Sequence, residues 1–206
     1  MKRREALKSI TLSSGMILTS GTIMSILQAC SAHGNENNWQ PQFFSSEQGS
    51  FFRSLCDFLL PATDTPGGLD VGVPQIVDIL LMNVYEAKYI EQFTHWFKVL
   101  DNEYFNVYKK SMKESTEEER QAFFKGLYSL SPENAEQIEQ LLMSKPPPKK
   151  NRKYQIYDAM HSLRNAIIDA YCTSEEIGEK VLTYDPIPGA YNGCIPVSEV
   201  KNVWSL

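Results

Sequence analysis

The side chains able to do chemistry in this 206-residue chain are few and dispersed. Its three histidines are His33, His95 and His161. His33 lies in a polar stretch. His95 and His161 each stand alone in aromatic or apolar helical patterns, as core or surface histidines do. No His-x-x-x-His or carboxylate–His spacing offers a metal site. No Gly-x-Gly-x-x-Gly follows a strand pattern, so a dinucleotide or flavin fold is not encoded. Covalent haem would need Cys-x-x-Cys-His and a serine hydrolase its Gly-x-Ser-x-Gly elbow, and neither occurs. Asp64, Asp70 and Asp78 occupy turn and first-helix positions, where a short carboxylate caps backbone amides. No catalytic, cofactor-binding or metal-ligating residue is therefore assigned to this chain.

The four cysteines point elsewhere. Cys30 ends the run Leu27-Gln28-Ala29-Cys30, which looks like a bacterial lipobox, with Gln28 looser than the usual small residue. Upstream, Arg3, Arg4, Leu7 and Lys8 resemble a twin-arginine export signal, with Ala6 and Lys2 departing from its commonest residues. The uncharged stretch Ser9 to Ala29 is rich in Ser, Thr and Gly, too weakly hydrophobic for a spanning helix. Residues 1–29 thus read as a twin-arginine-type lipoprotein signal and Cys30 as the lipid-bearing residue. A lipid contributes about 0.8 kcal/mol per buried methylene and anchors without spanning. The expected location is the periplasmic side of a membrane. Residues 30–44, polar from Ser31 to Gln42, read as a tether. Cys56 falls in an apolar helix and reads as core, whereas Cys172 and Cys194 are the candidates for a disulfide, within the chain or to a partner.

The elements downstream are helices joined by short turns. Ser45 with Gln48, and Thr116 with Glu119, form capping boxes. Apolar residues recur at helical spacing from Phe51 to Leu59, from Pro74 to Val84, and through an aromatic stripe from Ile90 to Tyr108. Further helical patterns carry Phe123 and Leu127, then Ile138 to Leu142, then Tyr157 to Tyr171, and a short one follows Ser174. Three prolines in Lys145 to Lys153 interrupt them and place an exposed basic hairpin there. No strand-period run or internal repeat is present. Residues 45–206 are expected to form an all-α domain, a single irregular bundle of about six to seven helices. The net charge is −5, and the first 29 residues are basic, so the remainder is more acidic still. That balance disfavours nucleic acid.

Two Pro/Gly-rich blocks interrupt the helices and read as ordered loops. The first, Leu60 to Pro74, holds Pro61, Thr63, Asp64, Thr65, Pro66 and Gly67, and Pro74 reads as the first position of the following helix. The second, Tyr184 to Pro196, holds Pro186, Pro188, Gly189 and Tyr191. Long ordered loops in a compact domain are often functional. These ten side chains are the candidate contacts for another chain.

Leu60-Pro61-Ala62-Thr63-Asp64-Thr65-Pro66-Gly67-Gly68-Leu69, Val73-Pro74, Thr173-Ser174-Glu175-Glu176-Ile177-Gly178 and Asp185-Pro186-Ile187-Pro188-Gly189 together resemble the small subunit, subunit 3, of gluconate 2-dehydrogenase. The resemblance covers about residues 45 to 197 and is most specific at the Pro-Ala-Thr-Asp-Thr-Pro-Gly block. It implies a membrane-associated complex. In it a large FAD-dependent subunit of the glucose-methanol-choline class does the hydride chemistry, and a cytochrome c subunit with haem c often passes electrons on. The small subunit holds no cofactor; it assists maturation and twin-arginine export of the large one. The lipobox departs from the simplest periplasmic version of that arrangement. An alternative class is a stand-alone lipid-anchored sugar-binding protein, which would need a pocket with stacking aromatics such as Trp96.

Overall fold

The computed structural model describes residues 39–184, 189, 194–199 and 202–205. The chain around Gln40 and beyond forms one compact unit. Its seven α-helices are α1 Ser46–Leu59, α2 Val73–Asn83, α3 Ala87–Tyr108, α4 Glu117–Tyr128, α5 Pro132–Met143, α6 Arg152–Cys172 and α7 Glu175–Lys180. Single 3-10 turns occupy Met112–Glu114 and Val197–Glu199. Among the described residues the only β pairing is an isolated bridge between Thr183 and Trp204. The domain is all-α, as the helical periodicities require.

Local chemistry sets the helix starts. Both capping boxes form: Ser45 Oγ accepts from the Gln48 amide while Gln48 Oε1 accepts from the Ser45 amide, and Thr116 and Glu119 do the same at α4. Ser131 and Asn151 cap α5 and α6 through their side chains. Some boundaries move. Pro74 is the second residue of α2, because Gly72 takes a left-handed φ of 71° and lets the helix begin at Val73. The last strong helix starts at Arg152, two residues before Tyr154, where Asn151 supplies its cap.

Packing is organised by α6. Its Ile156, Ala159, Met160, Leu163, Ala166, Ile167 and Ala170 lie on one helical face and are buried. That helix packs against α2, α3, α5 and α7, while α1 packs on α4 and α2. Phe51, Phe52, Phe93, Phe97, Phe124 and Tyr104 fill the core between α1, α3 and α4 with essentially no exposure. Their rings meet in tilted and edge-to-face pairs, Phe51 to Phe124 at 5.0 Å and Phe93 to Phe97 at 5.6 Å. Phe93, Phe97, Leu100 and Tyr104 of the aromatic stripe of α3 are therefore core, while Ile90 and Tyr108 at its ends are half-buried and Phe105 and Val107 are exposed.

One expectation is overturned at the start of the domain. Residues 42–44 are not tether. Phe44 is 4% exposed, stacked on Phe52 at 5.1 Å and inserted against Phe93 and Phe97. Asp78, read from the sequence as a helix cap, is instead the residue that pins this segment. Its carboxylate, 2% exposed in mid-α2, accepts the backbone amides of Gln42 (2.8 Å), Phe43 (2.9 Å) and Phe44 (3.1 Å). A buried carboxylate has to be satisfied, and three amides preceding α1 do so. Charge-assisted bonds of this kind are the stronger ones. Replacing Asp78 by Ala should lower unfolding free energy by about 3 kcal/mol, since it strands buried amide donors as well as deleting an ionic acceptor. Urea denaturation of the two proteins measures it, and a loss under about 1 kcal/mol would show that the segment re-pairs with water.

Candidate functional site

The first turn-rich block folds as a knuckle on a rigid base. Pro61, Ala62, Thr63, Asp64 and Thr65 are exposed, Pro66 is half-buried, and Gly67 and Gly68 are buried. The base is closed by backbone bonds: the Gly68 amide donates to Leu60 O (2.8 Å) and the Val73 amide to Gly68 O (3.0 Å). Asp70 Oδ2 accepts the Gly67 amide at 2.7 Å, which is the turn role expected of it. Across the tip, the Thr63 amide donates to Thr65 O at 3.0 Å. From the far side, Tyr171 of α6 donates its hydroxyl to Pro66 O at 2.7 Å. The knuckle is thus tied to both helices that flank it and to a third that lies 105 residues away in sequence.

Glycine is required at the base for space. A Cβ on Gly67 would stand 2.6 Å from the Ala62 amide nitrogen, and one on Gly68 would stand 2.5 Å from Cys56 Sγ. Cys56 is fully buried, and burial pushes its thiol up to about 12, so it is the inert core residue its helix position suggested. Of the proposed contacts, Pro61, Thr63, Asp64 and Thr65 are presented to solvent. Gly67 is not; it is buried support, because the chain must close tightly beneath the tip.

The second block leaves from the same end of the bundle. After α7, Thr183 meets the chain's end: its amide donates to Val203 O (2.9 Å) and its carbonyl accepts from the Ser205 amide (2.8 Å). Asn202 adds a side-chain bond to Val181 O at 2.7 Å, and Gly178 is close-packed because Ser205 Oγ lies against it. Thr183 and residues 202–205 are thus drawn together in a pinched neck. Pro186, Pro188 and Tyr191 lie outside the described residues, as do Arg3, Arg4, Leu7, Lys8 and Cys30. Gly189 is exposed. Cys172 is half-buried at the end of α6, and Cys194 is exposed.

Apolar side chains also face outward near these blocks. Ile79 and Met82 of α2 are each 53% exposed, followed by Val84 at 65%. Val197, Val203 and Trp204 flank the neck and are exposed. Among the described residues no cluster of three or more His, Cys, Asp or Glu could hold a metal ion, and no helix is long and apolar enough to cross a membrane. His95 and His161 are exposed; His161 pairs with Asn165 on its own helix. A cleft of about 460 Å³ opens beside α3 and the start of α6, lined by His95, Trp96, Tyr154 and Asp158 among others. Its indole is already engaged: Trp96 Nε1 donates to Asp158 Oδ2 at 3.3 Å, and its ring abuts Tyr89 and Phe93.

The knuckle and the α6 joint fall inside residues 46–189, which match the family model described as gluconate 2-dehydrogenase subunit 3. The chain belongs to that family. Comparison with curated proteins and with solved structures gives no significant match. As a subunit 3, the chain is by description one component of a multi-subunit gluconate dehydrogenase. The match begins at Ser46, at the first residue of α1. The Phe43-Phe44 pair that completes the core of this subunit 3 lies just ahead of it. That pair was the one available signal that the domain starts earlier, since two phenylalanines in an otherwise polar stretch need burial.

Two measurements test the knuckle's base. Gly68→Ala should destabilise by about 1–3 kcal/mol through overpacking, and Cys56→Ala in the same chain should recover most of that loss by removing the sulfur it strikes. Additive losses in thermal unfolding would exclude the contact. In native protein Cys56 should resist iodoacetamide, and unfolding should then release it to modification, read by mass spectrometry.

Proposed function

We propose that this subunit 3 is the non-catalytic partner of a large FAD-dependent oxidoreductase of the glucose-methanol-choline class, and that it assists that subunit's maturation and its export by the twin-arginine route. Family membership over residues 46–189 carries the reading. The form of the knuckle supports it. Five consecutive exposed residues stand on a base that cannot relax, so little ordering entropy is lost when they dock. Ile79, Met82 and Val84, exposed along and just beyond α2, offer further apolar area, and stable interfaces bury roughly 1,200–2,000 Å².

In this reading FAD and the hydride chemistry reside in the large subunit, and a cytochrome subunit with haem c, where one is present, takes the electrons. The twin-arginine-like residues Arg3 and Arg4 serve both chains, since that route moves cargo already folded. Cys30, once lipidated, holds the assembly at the periplasmic face of the membrane. The alternative of a stand-alone sugar-binding protein rests on the Trp96 cleft, and the commitment of that indole to Asp158 and its neighbours weighs against it.

The test is export. With this chain deleted, the large subunit should remain cytoplasmic or be degraded, and its FAD-dependent gluconate oxidation should vanish from the membrane fraction. Restoring the full chain should restore both, whereas Arg3→Lys with Arg4→Lys should not. Equal export with and without this chain would reject the proposal.

A further inference from the structure

Arg164, on α6, is a half-buried cation that makes no ion pair among the described residues. Tyr157, Arg164 and Tyr171 are spaced seven apart on α6 and so lie along one line at the edge of its buried face. The two tyrosines spend their hydroxyls on backbone carbonyls, Tyr157 on Leu127 O at the end of α4 (3.4 Å) and Tyr171 on Pro66 O in the knuckle (2.7 Å). Arg164 stands between them. Its Nε is buried without a hydrogen-bond partner, and no ion pair among the described residues includes it. The Tyr128 hydroxyl, next in sequence to Leu127, is likewise buried and unpartnered. Tyr128 packs its ring on Phe58 at 5.6 Å. Burial pushes that hydroxyl up to about 12, and the Arg164 charge opposes the rise, so the two groups feel one another.

A half-buried guanidinium without an acceptor is costly, and so is a buried hydroxyl beside it. We propose that the terminal guanidinium nitrogens of Arg164 receive a carboxylate side chain of the large dehydrogenase subunit, and that this pair sets the register of docking at the knuckle. The site rests on the partnership proposed above. A guanidinium presents a planar fork that matches a carboxylate's two oxygens. Ile168, one turn further on and 39% exposed, gives the contact an apolar border. The exposed neighbours His161, Asn165 and Asp169 supply no second strong cation, whereas attraction to anionic lipid depends on clusters of basic residues.

The full chain is co-expressed with the large subunit as wild type and as Arg164→Met, Arg164→Lys and Tyr128→Phe. Wild type should co-purify the large subunit with affinity that falls as salt rises. Arg164→Met should weaken the complex by about 30-fold or more and flatten the salt dependence, while its own thermal midpoint stays level or rises, because an unpaired cation has been removed. Arg164→Lys should recover part of the affinity, and Tyr128→Phe should leave the salt dependence intact. Undiminished binding by Arg164→Met, or binding lost only in step with folding, would overturn the inference and leave the partnership standing. So would loss of wild-type binding to phosphatidylglycerol vesicles in Arg164→Met with the complex unaffected. If wild type itself fails to hold the large subunit, the partnership falls first and this inference with it.

Discussion

The buried face of α6 is the constraint on which the rest of the bundle depends. One 21-residue helix serves as common neighbour to α2, α3, α5 and α7. Three alanines on that face, Ala159, Ala166 and Ala170, keep it narrow, so helices can close on it while Ile156, Met160, Leu163 and Ile167 fill the gaps between them. Each large side chain buried there contributes about 1.5–3 kcal/mol. Because one element takes contacts from so many, its edges become the natural places for specific bonds. The line of Tyr157, Arg164 and Tyr171 is such an edge, and two of its three members join α6 to other parts of the chain through carbonyls.

Polar groups inside the bundle are used as fasteners. Asp78 collects three amides and so draws Phe43 and Phe44 against the aromatic core. Between α1 and α4, Ser54 donates to Glu117 at 2.6 Å and accepts from Arg120 Nε at 2.7 Å, while Arg120 also reaches the Ser115 carbonyl at 2.8 Å. Partial burial raises Glu117, yet the bonds from Ser54, Gln121 and Arg120 prevail and hold its carboxyl below the usual range. The ionic form of that knot is therefore the folded form, and it weakens as pH falls through the lowered value. Arg164 departs from this use, since its Nε is buried without a hydrogen-bond partner.

The knuckle follows from the same economy. A knuckle with a glycine base, clamped by Tyr171 and closed by its own backbone, presents a fixed shape, and a fixed shape is what recognition of another protein needs. Reactivity is not what the exposed residues offer: Pro61, Thr63, Asp64 and Thr65 are turn-formers, and their value lies in where they stand. The neck at Thr183 lies close after α7, which begins three residues after α6 ends.

What could be read from the chain alone was everything that short-range chemistry decides. Capping boxes at Ser45 and Thr116, the proline-initiated α5 and the aromatic stripe of α3 use groups within a few residues of one another, so they are visible as spacing. The turn-rich block at Leu60 to Pro74 was legible as an ordered crossover for the same reason, and its tip residues as exposed. What the tertiary structure decided was the pairing of groups far apart. Asp78 meets amides 34 to 36 residues earlier, Tyr171 meets Pro66 across 105, and Gly68 is needed because the sulfur of Cys56 lies beneath it. No local pattern encodes these, because each side chain looks ordinary until a distant surface is folded against it. Arg164 is the same case inverted: a common surface residue by sequence, and one whose Nε is left buried without a hydrogen-bond partner only in the folded bundle.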